Sequence, residues 1–121
     1  MSYTPTEEPD MDLDVHNAPD RQRYEAYVDG ELAGQAEYRR NNGTLVFTHT
    51  EVGAEFRGTG VAGRLVRGAL DDARYHEFTV RPECPYVARW ITRHPEYADL
   101  VLPADAELLP SRNGDQDSAS R

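Results

Sequence analysis

Residues 48–73 read THTEVGAEFRGTGVAGRLVRGALDDA, and the change of rhythm inside this stretch decides the fold. Up to Val52 the side chains follow the two-residue period of a strand. From Val61 the period is 3.6. Val61, Leu65, Val66, Ala69, Leu70 and Ala73 fall on one stripe and Arg64, Arg67, Asp71 and Arg74 outside it, as in a helix that packs one face on a sheet. Between the two lies the turn Arg57-Gly58-Thr59-Gly60-Val61-Ala62-Gly63. Its glycines let the backbone approach a ligand with no Cβ in the way, and a helix that starts there points its free N–H groups and positive dipole end outward. A pyrophosphate suits such a site, and Arg57, Arg64 and Arg67 are placed to add charge-assisted contacts. The same spelling also serves a connection that only permits close strand-to-helix packing.

Outward toward the N-terminus the two-residue period recurs. Tyr24, Ala26 and Val28 alternate with polar neighbours, Asp29-Gly30 marks a hairpin, and Leu32 to Tyr38 returns as a second strand. Asn41-Asn42-Gly43 repeats the device. Thr44 to Val52 forms a third strand, with Leu45, Phe47, His49 and Glu51 on one face and Val46, Thr48, Thr50 and Val52 on the other. Three strands joined by short turns make an antiparallel meander.

Toward the C-terminus, His76-Glu77 ends the helix, and Phe78 to Val80 is a short buried strand that a helical crossover places parallel to the third. Pro85 to Arg93 reads as a second helix: proline suits its first turn, and Tyr86, Val87, Trp90 and Ile91 recur at helical spacing. His94-Pro95 interrupts it, with His94 placed to cap its end, and Tyr97, Leu100 and Val101 close the core. The expected fold class is α/β (α+β): a three-strand meander, a helix, a parallel strand and a C-terminal helix.

The flanks have another composition. Residues 1–20 hold six acids and no arginine, and residues 103–121 hold four acids and two arginines. Both are poor in apolar residues, so segments 1–21 and 103–121 are expected to be disordered tails around one domain at 22–102. Residues 21–102 balance twelve acids against eleven arginines, so the formal charge of −9 belongs mainly to the flanks. A body this near neutral carries no nucleic-acid footprint. At 121 residues and 38% hydrophobic content, one modest core is the expectation.

The single cysteine, Cys84, forms no internal disulfide and no multi-cysteine zinc site. No apolar run reaches the roughly 20 residues that cross a bilayer, and MSYTPTEEPD has no signal-peptide pattern, so no membrane association and a cytoplasmic location are expected. The four histidines lack metal-ligand spacing, and no metal is expected. All 13 basic residues are arginine, leaving no internal lysine to acetylate. An edge strand at residues 23–28 is free to pair with a second copy, giving a monomer or a weak homodimer.

Gly58-Thr59-Gly60-Val61-Ala62-Gly63 also spells GxGxxG, and Glu77 lies near the distance of a ribose-binding acid. That dinucleotide fingerprint follows the first strand of a parallel array. Here an antiparallel meander precedes it, and too little chain follows for further βα units.

Arg57-Gly58-Thr59-Gly60-Val61-Ala62 resembles the Arg/Gln-x-x-Gly-x-Gly/Ala signature of the GNAT superfamily of N-acetyltransferases. His49-Thr50-Glu51-Val52, Pro82-Glu83-Cys84-Pro85-Tyr86 and Arg93-His94-Pro95-Glu96-Tyr97 extend the resemblance to the small stand-alone branch of that superfamily, over about residues 23–102. The chain departs from larger members at its front, where there is no room for the usual N-terminal strand and paired helices of the amine pocket. The resemblance implies acetyl-CoA as cofactor. Backbone groups of Val52 and its neighbours would pair with the pantetheine arm, and N–H groups from Gly58 to Gly63, with Arg57 beside them, would hold the pyrophosphate. The acceptor would be an amine-bearing small molecule or protein.

Amine acetylation needs a neutral nucleophile, a polarised carbonyl and a proton for the departing thiolate. His49 and Glu51 share a strand face by alternation, as a base and its orienting partner or relay, unless a bulge near the strand end changes that geometry. The plain alternatives are a polar cross-strand residue and a salt-bridging acid. Cys84, before a proline at a helix start, is placed to act as acid, base or acyl acceptor; its alternative is a small buried hydrophobe. Tyr86 and Trp90 read as core residues. Two functions follow: direct acetyl transfer to a primary amine, or a non-catalytic CoA- or acyl-CoA-binding sensor or adaptor.

Overall fold

Turn chemistry sets the antiparallel part of the sheet. In the computed structural model, which describes residues 12–110, Asp29 (φ 51°) and Gly30 (φ 85°) close one hairpin and Asn42 (φ 57°) the next, each in the left-handed region that tight hairpins need. The strands are β1 (Leu13–Ala18), β2 (Arg23–Val28), β3 (Glu31–Asn41), β4 (Thr44–Val52) and β5 (Thr79–Pro82). They form one sheet in the order β1-β2-β3-β4-β5. The first four are antiparallel, and β5 lies parallel to β4 after the crossover through helix α1 (Val61–Tyr75). Helix α2 (Pro85–Arg93) follows. The five-strand mixed sheet with its helices is the expected α/β (α+β) class.

The stripe read from the sequence is the buried face of α1: Val61, Leu65, Val66, Ala69, Leu70 and Ala73 are all buried. They pack on Tyr24, Ala26, Ala36, Tyr38, Leu45 and Phe47, one face of the sheet. The Tyr24 ring stands 5.4 Å from that of Tyr38 and 6.1 Å from that of Phe47. Its hydroxyl donates to Asp72 Oδ2 at 2.7 Å, so the buried aromatic carries its own partner from α1. Burial and this carboxylate hold the Tyr24 hydroxyl protonated far above the ordinary phenol range.

Three expectations are corrected here. The segment up to Arg21 is not a tail throughout: Leu13–Ala18 form β1 and Pro19–Arg21 a 3-10 turn. Leu13 and Val15 supply the alternation, and the chain closes on α1 at Gly68, where an added Cβ would stand 2.9 Å from Val15 Cβ. Asn17 Oδ1 accepts from the Tyr38 hydroxyl at 2.7 Å. As a result β2 is an inner strand, and the free edge expected at residues 23–28 is covered by β1. The stretch after Pro103 likewise has structure: Pro103–Leu108 form a 3-10 helix whose Asp105 is buried against the Arg81 guanidinium. Residues 1–11 and 111–121, also expected as tails, lie outside the described residues.

Among the described residues no helix is long and apolar enough to cross a membrane. The close approach at Gly68 gives a test. Gly68→Val places methyl groups where β1 lies, and overpacking of this kind costs about 1–3 kcal/mol. The urea midpoint is expected to fall, and amide exchange at Val15 to lose protection ahead of the β3–β4 ladder. An unchanged midpoint with full β1 protection would contradict the docking of β1 on α1.

Candidate active site

The glycine turn forms a cradle through its backbone angles rather than through crowding. Gly58 (φ 81°) and Gly60 (φ 87°) adopt conformations that side chains rarely allow, and a Cβ on either would meet nothing within 4 Å. Residues that are free in space yet locked at positive φ leave a smooth backbone surface facing outward. Among the described residues no side chain caps α1 at Gly60. The first intrahelical donor is Arg64 N–H, to the Gly60 carbonyl at 3.1 Å. The N–H groups of Val61, Ala62 and Gly63 therefore stand at an uncapped positive helix end, an arrangement that suits an anion. Thr59 does not cap it, since its hydroxyl donates to the Phe56 carbonyl.

A cleft of about 250 Å³ opens over this turn, lined by Val52, Phe56, Arg57, Gly58, Gly60, Val61, Ala62, Gly63 and Tyr86. It thus brings together the end of β4, the turn, the start of α1 and a residue of α2. Arg57 Nε donates to the Val52 carbonyl at 3.3 Å, tying the guanidinium to the strand end. Tyr86, expected to be core, is half-buried against the core and also lines this cleft, its hydroxyl 4.0 Å from the place of a Cβ on Gly63. The helical periodicity that pointed to core does not separate a core position from the rim beside it.

Pairing of β4 with β5 covers only Thr44 to Phe47. Pro82 opposite Phe47 has no N–H to continue the ladder. Glu83 then turns its N–H to the Arg81 carbonyl, and Cys84 donates its N–H to the Phe47 carbonyl at 2.8 Å. Among the described residues, β4 beyond Phe47 is paired only with β3, and its other edge is open as far as Val52.

At this same point β4 carries a bulge. Glu37 faces His49 and Tyr38 faces Phe47, so Thr48 is the extra residue. The bulge inverts the alternation. Leu45 and Phe47 are in the core, whereas His49 and Glu51 are exposed and Thr50 and Val52 half-buried. The expectation that His49 and Glu51 share a face with Leu45 and Phe47 is therefore corrected by one residue. The two still share a face with each other, with His49 Nε2 3.6 Å from Glu51 Oε1 and side chains 56% and 62% exposed.

Cys84 is buried at 4% exposure within the core, its sulfur 3.5 Å from the Thr50 hydroxyl. It occupies the place of the small buried hydrophobe. His94 closes α2 as expected: its Nδ1 is 2.8 Å from the Trp90 carbonyl oxygen, and its ring stacks on Trp90 at 3.8 Å. Among the described residues no group of three or more His, Cys, Asp or Glu is arranged to hold a metal ion.

The sheet face turned away from α1 is largely polar, and Glu25 lies on it at β2, 3% exposed. Burial works to raise its pKa. Hydrogen bonds from Arg23 Nε (2.8 Å), the Tyr27 hydroxyl (2.8 Å) and Arg21 Nη1 (2.9 Å) outweigh that and bring it down to about 2.

A mixed sheet that opens at β4 beside a glycine turn and a helix N-terminus has the organisation expected of the N-acetyltransferase class. The family model described as GCN5-related N-acetyl-transferase matches residues 23–100, from the start of β2 to the end of the 3-10 turn after α2. The chain belongs to this family, whose chemistry is acyl transfer. Among solved structures, the crystal structure of nourseothricin acetyltransferase aligns at 25% identity with a TM-score of 0.38, over 59% of this chain and 57% of that one. The chain therefore spans little more than half the length of that protein.

Acid titration tests the Glu25 cluster. A carboxylate held at about 2 when folded, against an ordinary value near 4.5, stabilises the fold above pH 4.5 and loses that contribution as pH falls toward 2. Thermal midpoints are expected to drop over that window, and Glu25→Gln to flatten the drop. An acid limb of the same steepness in Glu25→Gln would assign the loss to other groups.

Proposed function

We propose that the protein is an acetyl-CoA-dependent N-acetyltransferase that transfers acetyl directly to a primary amine. The observation that carries this reading is the coincidence, at one end of β4, of an uncapped helix N-terminus with an open strand edge. The first fits a pyrophosphate, since its donors are backbone N–H groups in a surface free of side chains and Arg57 stands beside them. The second fits an amide-bearing arm, which an open edge binds as an added strand. Family membership supports the same choice.

Acetyl-CoA supplies the activated acyl group when bound. The chain's own residues bind and move protons. Val61, Ala62 and Gly63 offer N–H groups and Arg57 a guanidinium to phosphate oxygens. His49 and Glu51, exposed together on the open side of the bulge, accept the proton that the amine must lose. Tyr86, whose side chain lines the same cleft, would be the donor for the departing thiolate. The exchange of a thioester for an amide is thereby balanced, one proton leaving nitrogen and one reaching sulfur.

Calorimetry with acetyl-CoA tests the shared premise of catalysis and of simple cofactor binding, and absence of binding at millimolar ligand would sink both. Arg57→Ala is expected to weaken binding by about 1–3 kcal/mol, the worth of a charge-assisted contact, and a change under a few tenths would return Arg57 to the surface. A thiol-release assay over an amine panel separates the two functions. With turnover, Glu51→Gln and His49→Ala should lower kcat about 10²-fold or more and shift the basic limb of the pH profile, whereas Cys84→Ala should leave kcat within a factor of a few. Binding without release of thiol from any amine would favour the sensor or adaptor.

A further inference from the structure

The acceptor half of the reaction has a place on the sheet face turned away from α1. Residues opposite one another on paired strands share a face. Glu25, Gln35 and Glu51 thus form one row across β2, β3 and β4, and Arg23, Glu37 and His49 the next. Acids occur in both rows, and the arginines gather at one end of the face.

At one end a hollow of about 510 Å³ is lined by Arg21, Arg23, Arg39, Glu37 and the bulged Thr48. Arg21 and Arg23 share a single carboxylate, Glu25, at 2.9 and 2.8 Å. Arg39 reaches only Glu83 among the described residues, at 3.8 Å, and Glu83 is held more closely by Arg81 at 2.9 Å. Glu37, which also lines the hollow, accepts from Gln35 Nε2 at 3.1 Å and forms no ion pair with these arginines among the described residues. Three guanidinium groups therefore outnumber the carboxylates that engage them. Away from that hollow the face is anionic, with Glu37 at the boundary. Glu37, His49 and Glu51 follow in sequence along the face, and Glu51 borders a second hollow of about 280 Å³.

We propose that this face binds the acceptor, and that the acceptor is a small amine that also carries a carboxylate, of the amino-acid class. The carboxylate is received by Arg21 and Arg39, and the amine lies against Glu37, His49 and Glu51 beside the open edge of β4. Thr48 joins the two halves, because the bulge that makes it line the arginine hollow also turns His49 and Glu51 outward. The inference rests on the acetyltransferase reading and adds the substrate class. An amine without a carboxylate leaves the arginine corner unanswered, which is the basis of discrimination.

The test uses the full chain with acetyl-CoA and a panel of α-amino acids, each with its carboxamide, in the thiol-release assay. For the preferred side chain, kcat/KM for the acid is expected to exceed that of the amide by about ten-fold or more, the worth of one charge-assisted hydrogen bond. Arg39→Gln and Arg21→Gln are each expected to lower that preference several-fold through KM for the acid. Equal rates for acid and amide, or a preference untouched by both substitutions, would overturn the proposal. If no amine is turned over, amide-resonance titration with the same acids decides it: shifts centred on β2, β3 and β4 support the site, and their absence overturns it. Failure of the unsubstituted protein to bind acetyl-CoA would overturn the function proposed above and this site with it, whereas intact binding with no preference for acids overturns this site alone.

Discussion

The site depends on where the β4–β5 ladder stops. A parallel pair continues only while both strands offer donors, and β5 ends at Pro82, which offers none. The next two residues turn back, and the Cys84 N–H takes the Phe47 carbonyl as the last bond across. Among the described residues, everything on β4 after Phe47 is then paired with one strand instead of two. An exposed edge of this kind is usually a liability that proteins cover or charge. Here its far end, Val52, lies in the cleft between the glycine turn, α1 and Tyr86 of α2.

The bulge at Thr48 falls at the same place, and the two features act together. Without the bulge, His49 and Glu51 would continue the line of Leu45 and Phe47 into the core, where two titratable groups would need partners that the apolar stripe of α1 does not have. With it, Thr50 and Val52 turn toward the core side, Thr50 meeting the Cys84 sulfur, and the histidine and carboxylate face solvent. One inserted residue converts a packing strand into a strand with a polar working face.

Much of this was legible in the sequence, and the parts that were not have physical reasons. The shift from period 2 to period 3.6 across Val52 to Val61 located β4, the turn and α1, and every residue assigned to the buried stripe of α1 is buried. The parallel placement of β5 followed from the crossover rule, although the strand runs from Thr79 to Pro82 rather than ending at Val80. The first strand was masked by composition. Leu13 and Val15 alternate as a strand should, but acids on both sides outweighed them, and the information that rescues them sits 53 residues away in Gly68, whose missing side chain makes room for Val15. The bulge was foreseen as a possibility but not as a position, because no residue type marks it. The arginine hollow sets Arg39 of β3 beside Arg21 and Arg23, and only the register brings it there.

The place of Cys84 bears on which chemistry the fold permits. A covalent route would load the acyl group onto its sulfur, which then has to accommodate the added atoms. The thiol is 4% exposed, in contact with Thr50, at the residue whose N–H fixes the start of α2 against β4. Cores packed to this degree resist insertion of even a few atoms, and here the displaced element would be the wall of the cleft itself. His49 and Glu51, by contrast, are open to solvent and border a face with room for an acceptor. On the proposed function, an amine would attack directly from the uncovered face while the helix side held the cofactor, and the open edge of β4 would be the boundary across which the two meet.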